Sequence, residues 1–320
     1  MIDHPQAWAV VLAGGDGNRL RPLTRLITGE DRPKQFCRLF GDGTLLAQTR
    51  SRLATTISPE QMVFSLVKAH ERFYSDELAG VKPSRLVVQP ANMGTTAAII
   101  RSLLRITTLA DDPIVGFFPT DHYYVHEMRF VTMIHLALRV ARDRKNTVIL
   151  LGAQADYPEV EYGWIEPGKG LPSPLPSSLH RVNRFWEKPS AHFAQALRAR
   201  GCLWNTFVMI GRASAFLNIL KSAVPRMLQT LGAECHPSDV GSGLPNGGPA
   251  DAALAPGDFS RQVLSVSTAQ LAVLPMGDVG WSDLGTPERV RIAMTRSGLG
   301  SQRQGAAQNE IEDMVKTSFA

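Results

Sequence analysis

Three features of the chain predict an α/β fold with a mostly parallel sheet. Short runs of β-branched and aromatic residues alternate with longer amphipathic ones, which is the order of strand and covering helix in such sheets. The first apolar run breaks directly into glycines, as a strand does before a tight turn into a helix. Finally, 320 residues with 44% apolar and 20% charged content can bury one large core or two subdomains.

The strand segments are residues 8–13 (WAVVLA), 62–67 (MVFSLV), 85–89 (RLVVQ), 113–119 (PIVGFFP) and 146–152 (NTVILLG). Helical spacing of apolar residues marks 44–57, 69–80, 95–109 and 127–144 between them. Past Gly152 the rhythm becomes irregular, and the prolines of 167–178 (PGKGLPSPLPSS) read as a surface loop or hairpin tip. Residues 236–257, rich in glycine and proline and without an apolar period, read as a long loop. One domain is expected over 1–295, with 1–152 and 153–295 as its halves and 296–320 as a polar tail.

Charge and cysteine usage narrow the class. The formal charge is +5, and its cations are scattered except for the RVARDRK run at 139–145, which ends a predicted helix and reads as solvated surface. A small anionic ligand is favoured over duplex nucleic acid, which calls for a concentrated basic stripe. Cys37, Cys202 and Cys235 show no close pairing, the first ten residues lack a secretory pattern, and no apolar run reaches the roughly 18 residues of a spanning helix. A reducing cytoplasm without membrane contact is the expected setting.

The sequence VVLAGGDGNRLRPLTR at 10–25 carries the chemistry. Gly14, Gly15 and Gly17 can let backbone N–H groups approach phosphate oxygens, and Arg19 beyond them can grip further oxygens with paired hydrogen bonds. A tight strand-to-helix turn with a solvated arginine would look the same locally. Other phosphate loops fail on spacing: no Gly-Lys-Ser/Thr occurs, GGDGNR is not G-x-G-x-x-G, and the second strand ends without a carboxylate. Protein-kinase motifs are also missing from the sequence.

With that loop, a collinear set of motifs resembles the sugar-1-phosphate nucleotidyltransferases, and among them the mannose-1-phosphate guanylyltransferases. The set is LAGGDGNRLRPLT, RPKQF at 32–36, FPTDH at 118–122, EYGWIE at 161–166, RFWEKP at 184–189, LWNTFVMIG at 203–211 and GWSDLGTPERV at 280–290. The resemblance implies a Rossmann-like nucleotide-diphospho-sugar transferase (glycosyltransferase-A-like) fold, with a mixed, mostly parallel central sheet and helices on both faces. It implies transfer of a nucleoside monophosphate from an NTP, GTP first, to a hexose-1-phosphate, mannose-1-phosphate first. A nucleotide-sugar sensor that has lost the chemistry, or the same reaction on another NTP or sugar, is the alternative.

Both reactants are polyanions, so such a site needs positioning and cations rather than a covalent nucleophile. By resemblance Arg19 and Lys34 are the catalytic cations, with Pro33 favouring an extended approach that aims the lysine. Leu12, Ala13, Gly14, Gly15, Gly17, Gln89, Gly94 and Thr95 are expected at the nucleotide, and Gly163, Glu187, Lys188 and Asn205 at the sugar phosphate. Asp121, after the strand 113–119, and the distant Asp283 are expected to meet across the cleft and hold Mg²⁺. His122 and His126 have the spacing of a zinc pair but no third ligand, and read as loop and helix-start residues, while Cys37 reads as packing. Trp186, Trp204 and Trp281 read as packing beside the motifs.

Two departures stand out against the guanylyltransferase pattern. Met93 and Gly94 occupy positions where an arginine and an asparagine are expected, and Phe207 stands in place of a glycine, where its bulk would narrow the sugar pocket. The spacer before RPKQF is also longer. The length leaves no room for an added isomerase domain, so the transferase alone is expected, acting on its NTP and sugar-1-phosphate; a homodimer is compatible with these partners.

Overall fold

The computed structural model describes residues 7–172, 178–233 and 254–296. Its strands are β1 (Ala7–Leu12), β2 (Met62–Val67), β3 (Leu86–Gln89), β4 (Ile114–Pro119), β5 (Tyr123–Tyr124), β6 (Val148–Gln154), β7 (Gly163–Leu171), β8 (Leu179–Glu187), β9 (Leu203–Arg212), β10 (Leu271–Pro275) and β11 (Trp281–Ser282). The helices are α1 (Arg21–Thr28), α2 (Leu45–Leu53), α3 (Glu71–Tyr74), α4 (Gly94–Thr107), α5 (Glu127–Asp143), α6 (Ala191–Ala199), α7 (Ala213–Ala223), α8 (Pro225–Ala233) and α9 (Pro287–Arg296). Nine strands form one sheet in the order β3-β2-β1-β4-β9-β6-β10-β8-β7. The β1–β2, β1–β4, β2–β3 and β6–β10 pairs are parallel, while β9 runs antiparallel to both β4 and β6.

Strand periodicity explains why both faces are covered. Along β1, Ala9 and Val11 join a core with Phe130, Ile134 and Leu138 of α5, whereas Val10 joins another with Ile99 and Leu103 of α4 and Ile219 of α7. A strand buried on both sides reads as a continuous apolar run, which is how residues 8–13 look in the sequence. The amphipathic helices lie where their spacing put them, although α2 is shorter than 44–57 and starts on Thr44, whose hydroxyl accepts from Ala47 N–H. The segment 69–80 departs further: it is a 3₁₀ turn at Lys68–His70, the short α3 and then turns. His70 is buried there beside the glycine loop, which ties the segment to the site.

The irregular second half is antiparallel. β7 and β8 pair antiparallel and run into the proline-rich stretch, of which residues 173–177 lie outside the described residues. Most of the glycine-rich loop, Cys235 and the tail beyond 296 also lie outside them. Residues 256–258 re-enter over the start of α4, with Thr96 N–H donating to Gly257 O at 3.1 Å and Gly257 N–H donating to Met93 O at 3.0 Å. No described helix is long and apolar enough to cross a membrane.

Candidate active site

The glycine loop leaves the carboxyl end of β1 and is held from below. Gln35, buried in the lysine motif, donates its amide to Ala13 O at 2.9 Å and to Gly15 O at 2.7 Å. Asp16 is fixed from two sides, by His70 Nε2 at 3.3 Å and by the Asn92 amide at 3.0 Å. Gly17 has φ 61, a left-handed conformation that suits glycine, and a Cβ on Gly14 would come within 3.2 Å of Val67. A Cβ on Gly15 would meet nothing within 4 Å, so that glycine borders open space. Ala13 N–H is taken up by Ser65 O at 2.9 Å.

Leu12, Gly14, Gly15, Gln89, Gly94 and Thr95 line one cavity of about 530 Å³, and Asp121 shares it. Ser65, Asn92, Ala98, Pro119, His122, Phe207 and residues 256–258 complete its wall. Volume alone does not single it out, because a groove of about 560 Å³ lies beside Arg198 and Cys202 with none of these residues. Chemistry does. The Ser65 hydroxyl and Gln89 Oε1 are buried at this cavity with no hydrogen-bond partner among the described residues, a cost that a polar ligand or water would remove.

Lys34 is buried rather than solvated. Pro33 at ψ 141 is extended and starts the 3₁₀ turn Lys34–Phe36. The Lys34 ammonium donates to Asp283 O at 2.8 Å and Leu284 O at 3.1 Å, and pairs with Asp121 Oδ2 at 3.1 Å. These partners match its three protons. Leu284, buried with φ 49, adopts an unusual backbone for a branched residue, and its carbonyl and that of Asp283 both reach the ammonium.

Asp121 through its carboxylate and Asp283 through its backbone carbonyl both reach the Lys34 ammonium, and the two segments are joined by a two-residue ribbon absent from the strands expected on sequence grounds. β5 follows Asp121 and His122 directly, β11 immediately precedes Asp283, and they pair antiparallel, Trp281 with Tyr124 and Ser282 with Tyr123. Asp283 then accepts at Oδ1 from Tyr162 O–H at 2.8 Å, from Gly285 N–H at 2.9 Å and from Arg289 at 2.9 Å. Arg289 also reaches Oδ2 at 3.1 Å and crosses to Glu159. Burial alone would push the Asp283 pKa up; the Lys34 and Arg289 charges and the Tyr162 hydroxyl outweigh it, so the carboxyl stays below the ordinary range. A Cβ on Gly285 would stand 2.6 Å from Asp283 Oδ2 and 2.7 Å from an Arg289 guanidinium nitrogen, so a side chain there would push on the Asp283–Arg289 pair.

Arg19, exposed, is paired with Glu161 at 2.6 Å, which joins the end of the glycine loop to the EYGWIE motif. Gly163, Glu187 and Asn205 converge from three neighbouring strands: a Cβ on Gly163 would lie 2.7 Å from Glu187 Oε2 and 3.2 Å from Asn205 Cβ. Burial, then the nearby Asp258 carboxylate, pushes the Glu187 pKa up to about 7. Asn205 Oδ1 accepts from Phe207 N–H at 3.1 Å, which turns its NH₂ to the other side of the amide. Lys188 is exposed, with φ 53, and donates its N–H to Tyr162 O.

Other expectations from the sequence also have a definite place. His126 caps α5 and His122 is buried against Trp281, and no cluster of three potential metal ligands occurs among the described residues. Cys37 is buried in a small core with Leu20 and Leu45, and burial raises its thiol pKa to about 12. Trp204 and Trp281 pack with Tyr162 behind the site, and Trp186 packs on Phe193. The departure at Met93 and Gly94 has a steric basis. Met93 is turned into the core, and Gly94, with φ 81, has Gly257 backbone pressed against the position a Cβ would take.

Gln35, Ser65, Tyr162, Asp258 and Arg289 were not among the expected site residues. Three of them lie inside the quoted motifs, and Ser65 was visible as a lone hydroxyl in the apolar strand MVFSLV. Asp258 carried no signal, being placed by the return of the chain after the long loop.

A mixed, mostly parallel sheet with a glycine loop and a buried lysine at the carboxyl ends of its strands is the nucleotide-diphospho-sugar transferase fold. The chain belongs to the nucleotidyl transferase family, whose model matches residues 8–296. It is 29% identical over 310 residues to the xanthan biosynthesis protein XanB of Xanthomonas campestris, covering 92% of this chain and 61% of that protein. It is also 29% identical over 303 residues to a mannose-1-phosphate guanylyltransferase of Escherichia coli, covering 93% of this chain and 62% of that one. The chain thus spans about three fifths of the length of these curated relatives. A crystal structure from Thermus thermophilus, described as a mannose-1-phosphate geranyltransferase, superposes with a TM-score of 0.74 at 27% identity, over 89% of this chain and 79% of that one.

Proposed function

We propose that this protein transfers a nucleoside monophosphate from an NTP to a hexose-1-phosphate, with GTP and mannose-1-phosphate as the lead pair. The observation that carries the reading is the Lys34 ammonium, buried between the Asp121 carboxylate and the Asp283 and Leu284 carbonyls at the edge of the glycine-loop cavity. A buried ammonium beside an open phosphate-type loop puts positive charge where two polyanions would have to meet. The Ser65 hydroxyl and Gln89 Oε1, unpaired among the described residues, and the start of α4 suit a nucleobase and its ribose phosphates.

In the proposed reaction an oxygen of the sugar-1-phosphate attacks the α-phosphorus in line, that P–O bond forms, the bond to the β-phosphate breaks, and pyrophosphate leaves. Lys34 holds a charge against the reacting phosphates once they displace one of its present partners. Arg19, exchanging Glu161 for phosphate oxygens, holds the outer part of the triphosphate. Glu187 and the Asn205 NH₂ orient sugar hydroxyls, and Lys188 meets the sugar phosphate.

Mg²⁺ prefers hard oxygen donors of the kind Asp121 and Asp283 supply. Asp121 borders the cavity, and Asp283 keeps its carboxyl ionised, with Oδ1 accepting from Tyr162, Gly285 and Arg289 and Oδ2 from Arg289, so an ion held by Asp283 would replace the guanidinium at Oδ2. Two hard oxygen donors are enough when phosphates and water fill the octahedron. Bound by Asp121 and Asp283, the ion would neutralise phosphate charge and align the two esters. Cys37 and Cys202, both free and buried, accord with a cytoplasmic setting.

Purified protein should be incubated with Mg²⁺, each common NTP and a panel of sugar-1-phosphates, and scored for pyrophosphate release. Release with GTP and mannose-1-phosphate above all other pairs is expected. Tight binding of a nucleotide-sugar without release from any pair would overturn the proposed activity.

A further inference from the structure

We propose that Phe207 is a specificity-determining residue that excludes hexose-1-phosphates bearing a bulky ring substituent such as an acetamido group. The inference rests on the proposed reaction and extends it to substrate choice. Phe207 has φ 59, a left-handed backbone that bulky residues rarely take. A bulge creates it. Leu150 pairs with Met209 and Gly152 with Asn205, so Thr206, Phe207 and Val208 stand opposite Leu151 alone. The Thr206 hydroxyl replaces ladder bonds by donating to Leu151 O at 2.7 Å and accepting from Val208 N–H at 3.3 Å.

The bulge places an aromatic ring on the cavity wall. Phe207 is half-buried, borders the cavity together with Asp121 and Asp258, and packs edge-on against the fully buried Phe259 with centroids 6.2 Å apart. Its own N–H is bonded to Asn205 Oδ1, and Asn205 adjoins Gly163 and Glu187. Asp258, on the same wall, lies close enough to Glu187 to shift its titration. Phe207 therefore stands on the border between the nucleotide cavity and the Gly163–Glu187–Asn205 cluster. A substituent projecting from a hexose held by that cluster towards the cavity meets the ring. Glycine would relieve the backbone and open this space, so the aromatic ring is kept against a local energetic penalty, as at a selective site.

The test compares wild type with Phe207→Gly and Phe207→Asn, two residues that accept a left-handed backbone. Dissociation constants for mannose-1-phosphate and N-acetylglucosamine-1-phosphate are measured by calorimetry, and kcat/KM for both by pyrophosphate release. The expected result is a preference shift of at least about tenfold towards the acetamido sugar in both variants, the scale at which pocket size discriminates. An unchanged ratio of dissociation constants, or a change confined to NTP preference, would overturn the proposal. Because calorimetry reads binding without turnover, a wild type that binds both sugars but releases no pyrophosphate counts against the reaction and still decides the role of Phe207.

Discussion

Tyr162 donates its hydroxyl to Asp283 Oδ1 at 2.8 Å, joining the EYGWIE motif to the aspartate of the GWSDLG motif. Tyr162 also receives the Arg289 guanidinium over its ring at 4.5 Å, so one aromatic side chain orders both members of the Asp283–Arg289 pair. Removing only the hydroxyl, in Tyr162→Phe, takes away a hydrogen bond to a charged group, which costs about 1.5–3 kcal/mol. Urea unfolding should show that loss, while the ring continues to pack on Trp204 and Trp281.

Lys34 should not tolerate arginine. Its three partners surround a compact ammonium, and a planar guanidinium cannot reproduce that geometry. Lys34→Arg and Lys34→Met should both lower kcat by about 10²–10³, the usual cost of removing a charge-stabilising donor. Steady-state pyrophosphate release measures it; an arginine variant with near-normal kcat would refute the proposed role.

Both aspartates neutralise buried cations, so amidation should cost turnover and stability together. Asp121 pairs with the buried Lys34 ammonium, so Asp121→Asn should abolish Mg²⁺-dependent turnover and lower the urea midpoint. Asp283 is also the partner of a largely buried arginine, so Asp283→Asn should lose turnover and stability together, by about 3 kcal/mol. Chelation by EDTA should stop wild-type turnover reversibly.

Glu187 gives a pH dependence with a definite sign. Its carboxyl titrates at about 7 in the folded chain, above the ordinary value of 4.5. Between these values the native state holds a proton that the unfolded chain has released, so stability falls as pH rises through this window and is greatest below it. Comparing urea midpoints at pH 5 and pH 8 should show a larger drop for wild type than for Glu187→Gln.

Gly94→Ala should be poorly tolerated. The residue needs φ 81, and the new Cβ would stand within 2.7 Å of Gly257 N and collide with its carbonyl. Residues 256–258 would have to lift from α4, opening the cavity wall. Nucleotide affinity, followed by calorimetry, should fall at least about tenfold, with a loss of stability on the order of 2 kcal/mol.

Strand–helix alternation was legible in the chain alone, because burial of a sheet on both faces demands apolar runs such as 8–13 and 113–119 with amphipathic cover between them. The glycine loop was legible too, since Gly17 must accept a left-handed backbone and Gly15 borders open space. Which distant groups share a cleft took shape only on folding. The β5–β11 ribbon is two residues long, too short for any periodic signal, yet it joins the Asp121 and Asp283 segments and gives Lys34 both sets of partners. The return of residues 256–258 over α4 likewise turned Gly94 and Asp258 into parts of one cavity wall. Local pattern records which face of an element is buried; it holds no record of which partner buries it, because that follows from packing between segments remote in the chain.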